Sequence, residues 1–148
     1  MPLLCALLGS TLLACDRGED PEALAALAQL YEGQQAWREL VDVLDRRVSV
    51  ASDPELLDRL EVRIGEAREQ RFNDPAGALP AYRNVVERTP SHPAALAGLE
   101  RLIAVPAVRS DVIDVLESAY QRNDDNSRLA WLLGLRVEAA EEDLVLGR

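Results

Sequence analysis

The stretch at residues 21–53, PEALAALAQLYEGQQAWRELVDVLDRRVSVASD, returns at residues 93–125 as PAALAGLERLIAVPAVRSDVIDVLESAYQRNDD. The two stretches align without a gap at a constant offset of 72 residues, and their identical positions include Pro21/Pro93, Ala23/Ala95, Leu24/Leu96, Ala25/Ala97, Leu27/Leu99, Leu30/Leu102, Asp42/Asp114, Val43/Val115 and Leu44/Leu116. Self-similarity over tens of residues is the signature of stacked supersecondary units, each of which buries its apolar face only against its neighbours. The repeat therefore predicts a solenoid without a central pocket, and this architecture favours binding over catalysis.

Helix starts are marked along the whole repeat region by a proline that follows a capping residue. Asp20-Pro21, Asp53-Pro54, Asp74-Pro75 and His92-Pro93 each place proline at a first helical position, where its missing N–H costs nothing. Apolar residues then recur with helical spacing, and no segment alternates with the period of two that a strand requires. The sequence predicts helices over about 21–33, 36–50, 54–71, 75–88, 93–104, 109–122 and 127–142.

Three parts of the chain resemble the tetratricopeptide (TPR) repeat family. The second-helix consensus of that family is similar to Asp74, Ala78, Tyr82, Val86 and Pro90. Its first-helix consensus is similar to two further sets, Leu24, Leu27 and Tyr31 in the first unit and Leu96, Leu99 and Ile103 in the third. The resemblance implies an all-α, right-handed solenoid of antiparallel helix pairs with about three and a half repeats. Its units would be residues 20–53, 54–91 and 92–125, a half unit at 126–142 and a tail at 143–148, and another solenoid of helix pairs is the alternative.

The same resemblance implies a ligand groove formed by the first helix of each unit. The groove positions of the family correspond here to Glu22, Ala25, Gln29, Glu32, Ala94, Ala97, Arg101 and Ala104. Ala25 and Gln29 differ from the lysine and asparagine of the version that clamps a chaperone C-terminus, so that ligand is not expected. The implied ligand is an extended or helical segment of a protein or peptide.

Composition limits the classes of partner. The chain carries a formal net charge of −10, with 16 basic residues that are all arginine. Phosphate backbones would be repelled by this charge, so we expect no nucleic-acid binding. The only cysteines are Cys5 and Cys15, and the repeat region therefore has neither a disulfide framework nor a cysteine zinc site.

The N-terminal segment, residues 1–19, has a different character. Residues 2–14 are uncharged and mostly apolar, a run too short to span a bilayer and typical of a signal peptide. The motif Leu-Leu-Ala-Cys that ends at Cys15 resembles the lipobox of bacterial lipoproteins, which implies lipidation of Cys15, membrane anchoring and a place in the bacterial cell envelope. Two alternatives stay open: a helix left from a preceding repeat and packed on residues 21–33, and a cleaved signal without lipidation.

The residues that carry enzymatic chemistry are sparse. His92 is the only histidine, and it precedes a proline at a turn, where capping explains it better than catalysis. There is no glycine-rich phosphate loop and no histidine pair for a metal. We expect a protein that is not an enzyme and needs no cofactor.

The last predicted helix is apolar nearly all round, and a helix apolar on two faces expects neighbours on both. Its partner helix is missing from the sequence, so we predict an uncovered end surface formed by Leu129, Trp131, Leu132 and Leu135. That end would self-associate, hold a partner helix or continue into further repeats. The sequence thus favours a protein-interaction scaffold, and the alternative is a structural or regulatory segment of a longer repeat protein. The predicted core contains Leu24, Leu27, Leu44, Leu96, Leu99 and Leu116.

Overall fold

The structure is a computed structural model that describes residues 20–147. Within this range it contains seven α-helices and no strand, which confirms the all-α prediction. The helices are α1 (Pro21–Gly33), α2 (Trp37–Val50), α3 (Pro54–Gln70), α4 (Pro75–Arg88), α5 (Pro93–Leu102), α6 (Arg109–Arg122) and α7 (Asn126–Leu146).

The capping residues set most of these boundaries. The carboxylate of Asp20 accepts a hydrogen bond from the N–H of Ala23 at 3.3 Å, and Asp74 accepts one from Gly77 at 3.0 Å. At the start of α5, the Nδ1 atom of His92 accepts from the N–H of Ala95 at 3.4 Å, which confirms the capping role expected for the histidine. Asp53 was expected to cap α3, but its side chain makes no capping hydrogen bond.

The last helix runs further than the sequence predicts. We placed its end at residue 142 and a tail at 143–148, whereas α7 continues to Leu146. The boundary prediction was wrong because Leu144 and its neighbours sustain the helix until Gly147. That glycine adopts the left-handed conformation, with φ 70°, that commonly terminates a helix.

The interpretation of residues 1–19, including lipidation of Cys15 and the alternative of a remnant helix, lies outside the described residues. Among the helices at residues 20–147, none has both the length and the apolar character that crossing a membrane requires.

Helices pack in the order in which they occur along the chain. Each helix contacts the next, and further contacts join α3 to α5 and α4 to α6. Connections of three to six residues join successive helices. Buried side chains form two clusters: one joins α1, α2, α3 and Ala81 of α4, and the other extends from Val62 of α3 to α7. α3 contributes to both, with Leu60 and Ile64 in the first and Val62 in the second.

The predicted core is largely correct and fails at the edges. Leu24, Leu44, Leu99 and Leu116 are buried, whereas Leu27 and Leu96 are only half-buried. Within the described residues, α1 packs on α2 but has no preceding helix beside it, whereas α5 lies between α4 and α6. This difference in neighbours is visible at the equivalent repeat positions Leu30 and Leu102, whose side chains are 50% and 1% exposed.

Tyr82 fixes the approach of three helices. Its ring lies on α4 and is fully buried between α3 and α5, each of which turns a glycine towards it. A Cβ atom added to Gly65 would lie 2.7 Å from a ring carbon, and one added to Gly98 would lie 2.5 Å from another. Both distances are shorter than van der Waals contact, so these two positions accommodate the ring only because they lack a side chain.

We expect Gly98→Ala to lower the free energy of unfolding by about 1–3 kcal/mol, the usual cost of overpacking a core. The matched control is Gly134→Ala in α7, where an added Cβ meets no atom within 4 Å. Alanine is the better helix former by about 1 kcal/mol, so the control is expected to gain stability by up to that amount. Urea unfolding monitored by circular dichroism compares the two variants, and stabilisation of both would contradict the packing assigned to Tyr82.

Candidate interaction surfaces

Three ion pairs join the odd-numbered helices in chain order. Arg63 of α3 donates to Glu32 of α1 at 2.8 Å, and Arg101 of α5 donates twice to the carboxylate of Glu69 in α3, both at 3.0 Å. Arg128 of α7 donates to Glu100 of α5. These pairs link α1 to α3, α3 to α5 and α5 to α7, and we call the surface that carries them the odd-helix face.

Two tyrosines of the even-numbered helices extend this pattern. The hydroxyl of Tyr82 donates to Glu69 at 2.8 Å, and the hydroxyl of Tyr120 donates to Glu100 at 2.8 Å. Burial, together with the hydrogen bond to Glu100, raises the pKa of Tyr120 to about 12, and burial also raises the pKa of Tyr82. Both phenols stay protonated at physiological pH, so they act as hydrogen-bond donors that position the glutamates.

The hydrogen-bond partners of Glu69 keep its carboxyl group ionised. Burial raises the pKa of the Glu69 carboxyl, but hydrogen bonds from Arg101 and Tyr82 outweigh that effect and bring the net pKa below its usual value. The hydrogen bonds to Glu69 raise the pKa of Arg101 in turn. Ion pairs at a surface contribute little stability. The three inter-helix pairs, which we call the ion-pair ladder, therefore mainly fix the alignment of the helices that they join and neutralise their charges.

The predicted groove residues of the first unit lie on α1 and near its end. Glu22 and Gln29 are exposed, and Ala25 is half-buried. Glu32 is the member that contacts another helix, through its ion pair with Arg63.

A small cavity of about 160 Å³ adjoins the pair of Glu32 and Arg63, and the ring of Trp37 borders it. The guanidinium of Arg71, the residue that follows α3, lies over this ring at 4.3 Å from its centroid.

The predicted groove residues of the third unit lie on α5 and just beyond it. Ala97 is exposed and Ala94 is half-buried, while Ala104 falls in the turn after the helix. Arg101 is exposed, but Glu69 holds its guanidinium. The two predicted sets lie on different helices, and each contributes one residue to an ion pair with α3, Glu32 with Arg63 and Arg101 with Glu69.

An open groove of about 690 Å³ lies between the N-terminal ends of α5 and α7. Leu96 and Ala97 supply an apolar wall, and the paired Glu100 and Arg128 supply a polar one. The carboxylate of Asp125 beside them accepts a hydrogen bond from the N–H of Arg128, as the cap of α7. Small side chains on one wall leave room for the backbone of another chain to approach.

Away from its contact with α6, α7 exposes large apolar side chains on more than one side. Trp131 is 47% exposed, Leu133 40% and Val137 57%, and the three apolar residues 144–146 that end the helix are more exposed still. Of the predicted end surface, Leu129 and Leu135 are half-buried. Leu132 does not belong to that surface, because it is fully buried in the core cluster that α7 shares with α6.

Acidic residues accompany these apolar side chains. Glu138, Glu141, Glu142 and Asp143 make no ion pair or hydrogen bond through their side chains to any residue at positions 20–147. Arg136 lines a cavity with Glu142 and Asp143 but is engaged with Asp114 at 2.7 Å and Glu117 at 2.8 Å in α6. Arg109 lines the same cavity, and its guanidinium donates to the carbonyl of Ile103 at 2.9 Å. The C-terminal half of α7 therefore presents unneutralised negative charge beside its apolar surface.

Sequence reasoning missed the ion-pair ladder. Its glutamate–arginine pairs are 31, 32 and 28 residues apart, close to one repeat length, and this recurrence is the signal that could have revealed them. Across the described part of the chain, no group of three or more histidine, cysteine, aspartate or glutamate side chains is arranged to hold a metal ion.

Comparison of the chain with protein-family models, with curated proteins and with solved structures gives no match.

Proposed function

We propose that the chain is a non-enzymatic protein-interaction scaffold, built as a TPR-like right-handed α-solenoid, that binds a peptide or helix of another protein. Sequential packing supports this architecture, because helices contact only their near neighbours along the chain. In such an array no central pocket forms, and the elongated surface is the binding element.

The observation that carries the proposal is the groove between α5 and α7 on the odd-helix face. Its one arginine, Arg128, is already paired with Glu100 and Asp125, and Asp124 adds further negative charge, so the groove does not suit an acidic ligand. Its apolar wall consists of Leu96 and the small Ala97. The favoured ligand is therefore a peptide that contributes backbone hydrogen bonds and small apolar side chains, as in other recognition of extended segments.

We expect a photo-cross-linking amino acid at position 97 to capture a partner from extracts of the cells that make this protein. The same amino acid at position 118 is the control, because Ser118 is exposed on α6, away from the groove. Excess wild-type protein is expected to compete away the adduct at position 97, and excess Ala97→Arg is not, since its long side chain fills the groove. Equal capture at the two positions, or equal competition by the two proteins, would contradict the proposed site.

The exposed apolar end of α7 favours a second candidate, that of a structural or regulatory segment within a longer repeat protein. In that case a following helix would cover Val137 and Leu144, which are 57% and 81% exposed. Mass spectrometry of the native protein measures its full length, and this length decides between the two candidates.

A further inference from the structure

The outer face of α7 combines three properties that together specify an occupant. Leu133, Val137 and Leu144 follow one another at spacings of four and seven residues, which places them on one side of the helix, and all three are exposed. α6 is the helix of residues 20–147 on which α7 packs extensively. This apolar stripe is therefore available to a helix from outside the described residues.

The second property is unneutralised acid. Glu141 lies on the same side of the helix as Val137, one turn later. Glu138 precedes Glu141 by three residues, so these two carboxylates are neighbours on the helix surface. Neither carboxylate has a partner at residues 20–147. They also lie near the C-terminal end of α7, where the helix dipole is itself negative and favours a cation.

The third property is the absence of free positive charge on the same helix. Arg128 is held by Glu100, and Arg136 by Asp114 and Glu117. A second copy of this chain would bring the same acidic stripe, a net charge of −10 and no lysine. Electrostatics thus oppose self-association through this face and favour a partner of opposite charge.

We infer that the outer face of α7 binds a basic amphipathic helix of a partner protein. Its apolar side chains cover Leu133, Val137 and Leu144, and its lysine or arginine side chains reach Glu138 and Glu141. From residue 133 to residue 144 the stripe is about 17 Å long at 1.5 Å per residue, so about three turns of the partner suffice. This surface is distinct from the groove at Ala97, and the inference therefore does not depend on the proposed peptide site.

The test uses the full chain and a fluorescently labelled peptide of about 18 residues, five helical turns, with leucine on one face and lysine on the other. A peptide with glutamate in place of lysine is the matched probe. Fluorescence anisotropy is expected to show binding of the lysine peptide only. The double variant Glu138→Gln/Glu141→Gln is expected to weaken this binding by about fivefold, because two exposed charge pairs contribute about 1 kcal/mol together.

The decisive variant is Val137→Glu, which adds negative charge but breaks the apolar stripe. Docking on the stripe predicts that it weakens binding of the lysine peptide by about tenfold or more. Non-specific charge attraction predicts tighter binding, and this result would overturn the inference. Leu30→Glu, at a residue 50% exposed on α1, is the control for an added charge elsewhere and is expected to change binding little.

Two further outcomes separate the alternatives. Ala97→Arg is expected to leave binding of the lysine peptide unchanged. The proposed peptide site at the groove and the proposed helix site on α7 can therefore each be disproved without affecting the other. Sedimentation of the wild-type chain is expected to show a monomer. A dimer that Val137→Glu dissociates would identify a second copy as the occupant and would overturn the inference.

Discussion

Leu116→Ala is expected to lower the free energy of unfolding by about 2–5 kcal/mol, the range for truncation of a core leucine. Leu116 is fully buried on α6, in the cluster that joins α4 to α7. A domain of this size has about 5–15 kcal/mol of stability in total, so the variant is expected to be partly unfolded well below the melting temperature of the wild type. Chemical unfolding followed by circular dichroism measures the change.

Its repeat partner, Leu44, is also fully buried and supplies a second test in the other cluster. Leu44→Ala is expected to cost a similar amount. The control is Leu30→Ala, at a half-exposed position of α1, for which the loss is expected to be much smaller. Equal losses at positions 30 and 116 would mean that the assigned core is incorrect.

Arg88→Met is expected to cost about 3 kcal/mol, at the lower end of the range for removing one partner of a buried ion pair. Arg88 donates to Asp58 at 2.9 Å and to Glu61 at 2.6 Å, and these acids are only 5% and 8% exposed. Thr89 satisfies the second oxygen of Asp58 at 2.7 Å, but it supplies no charge. The variant thus leaves two buried carboxylates facing each other without a cation. The side chain of Arg88 is itself 32% exposed, so water moderates the loss.

Arg136→Met is the matched control for this prediction. Arg136 also bridges two carboxylates, but its partners, Asp114 and Glu117, are 61% and 30% exposed. Water can solvate them after the arginine is removed, so a loss below about 1 kcal/mol is expected. If the two variants lose the same stability, burial of Asp58 and Glu61 does not determine the cost.

Much of the fold could be predicted from the sequence, because local signals determine the helices. The proline at the first helical position marks the starts of α1, α3, α4 and α5. In α2 and α6 the 72-residue offset also predicts burial, since Leu44 and Leu116 occupy equivalent fully buried positions. These signals depend only on the residues within one helix and its partner.

Features that depend on neighbours could not be predicted in the same way. Leu30 and Leu102 are identical in sequence register, yet they differ in burial because α5 has a helix on each side. The pairing of Glu69 with Arg101 joins helices that are not adjacent in sequence, so helical periodicity does not reveal it. Leu132 was assigned to the exposed end surface because the pattern of α7 is apolar on several sides, and only packing shows which side faces α6.

The proposed scaffold requires that the odd-numbered helices form an open row from α1 to α7. Neighbouring helices lie about 8–10 Å apart, so three intervals along the row separate α1 from α7 by about 24–30 Å. In a closed bundle the two helices would instead be neighbours. The distance between them therefore distinguishes a scaffold with an extended binding face from a compact bundle.

Spin labels measure this distance directly. The cysteines Cys5 and Cys15 are the only ones in the chain, so replacing them by serine allows labels at Ala26→Cys in α1 and Ala130→Cys in α7, both at exposed positions. Dipolar electron paramagnetic resonance is expected to give one population at about 24–30 Å, extended by the label arms. A population near a single helix spacing, about 8–10 Å before the label arms are added, would contradict the open row and the interaction surfaces derived from it.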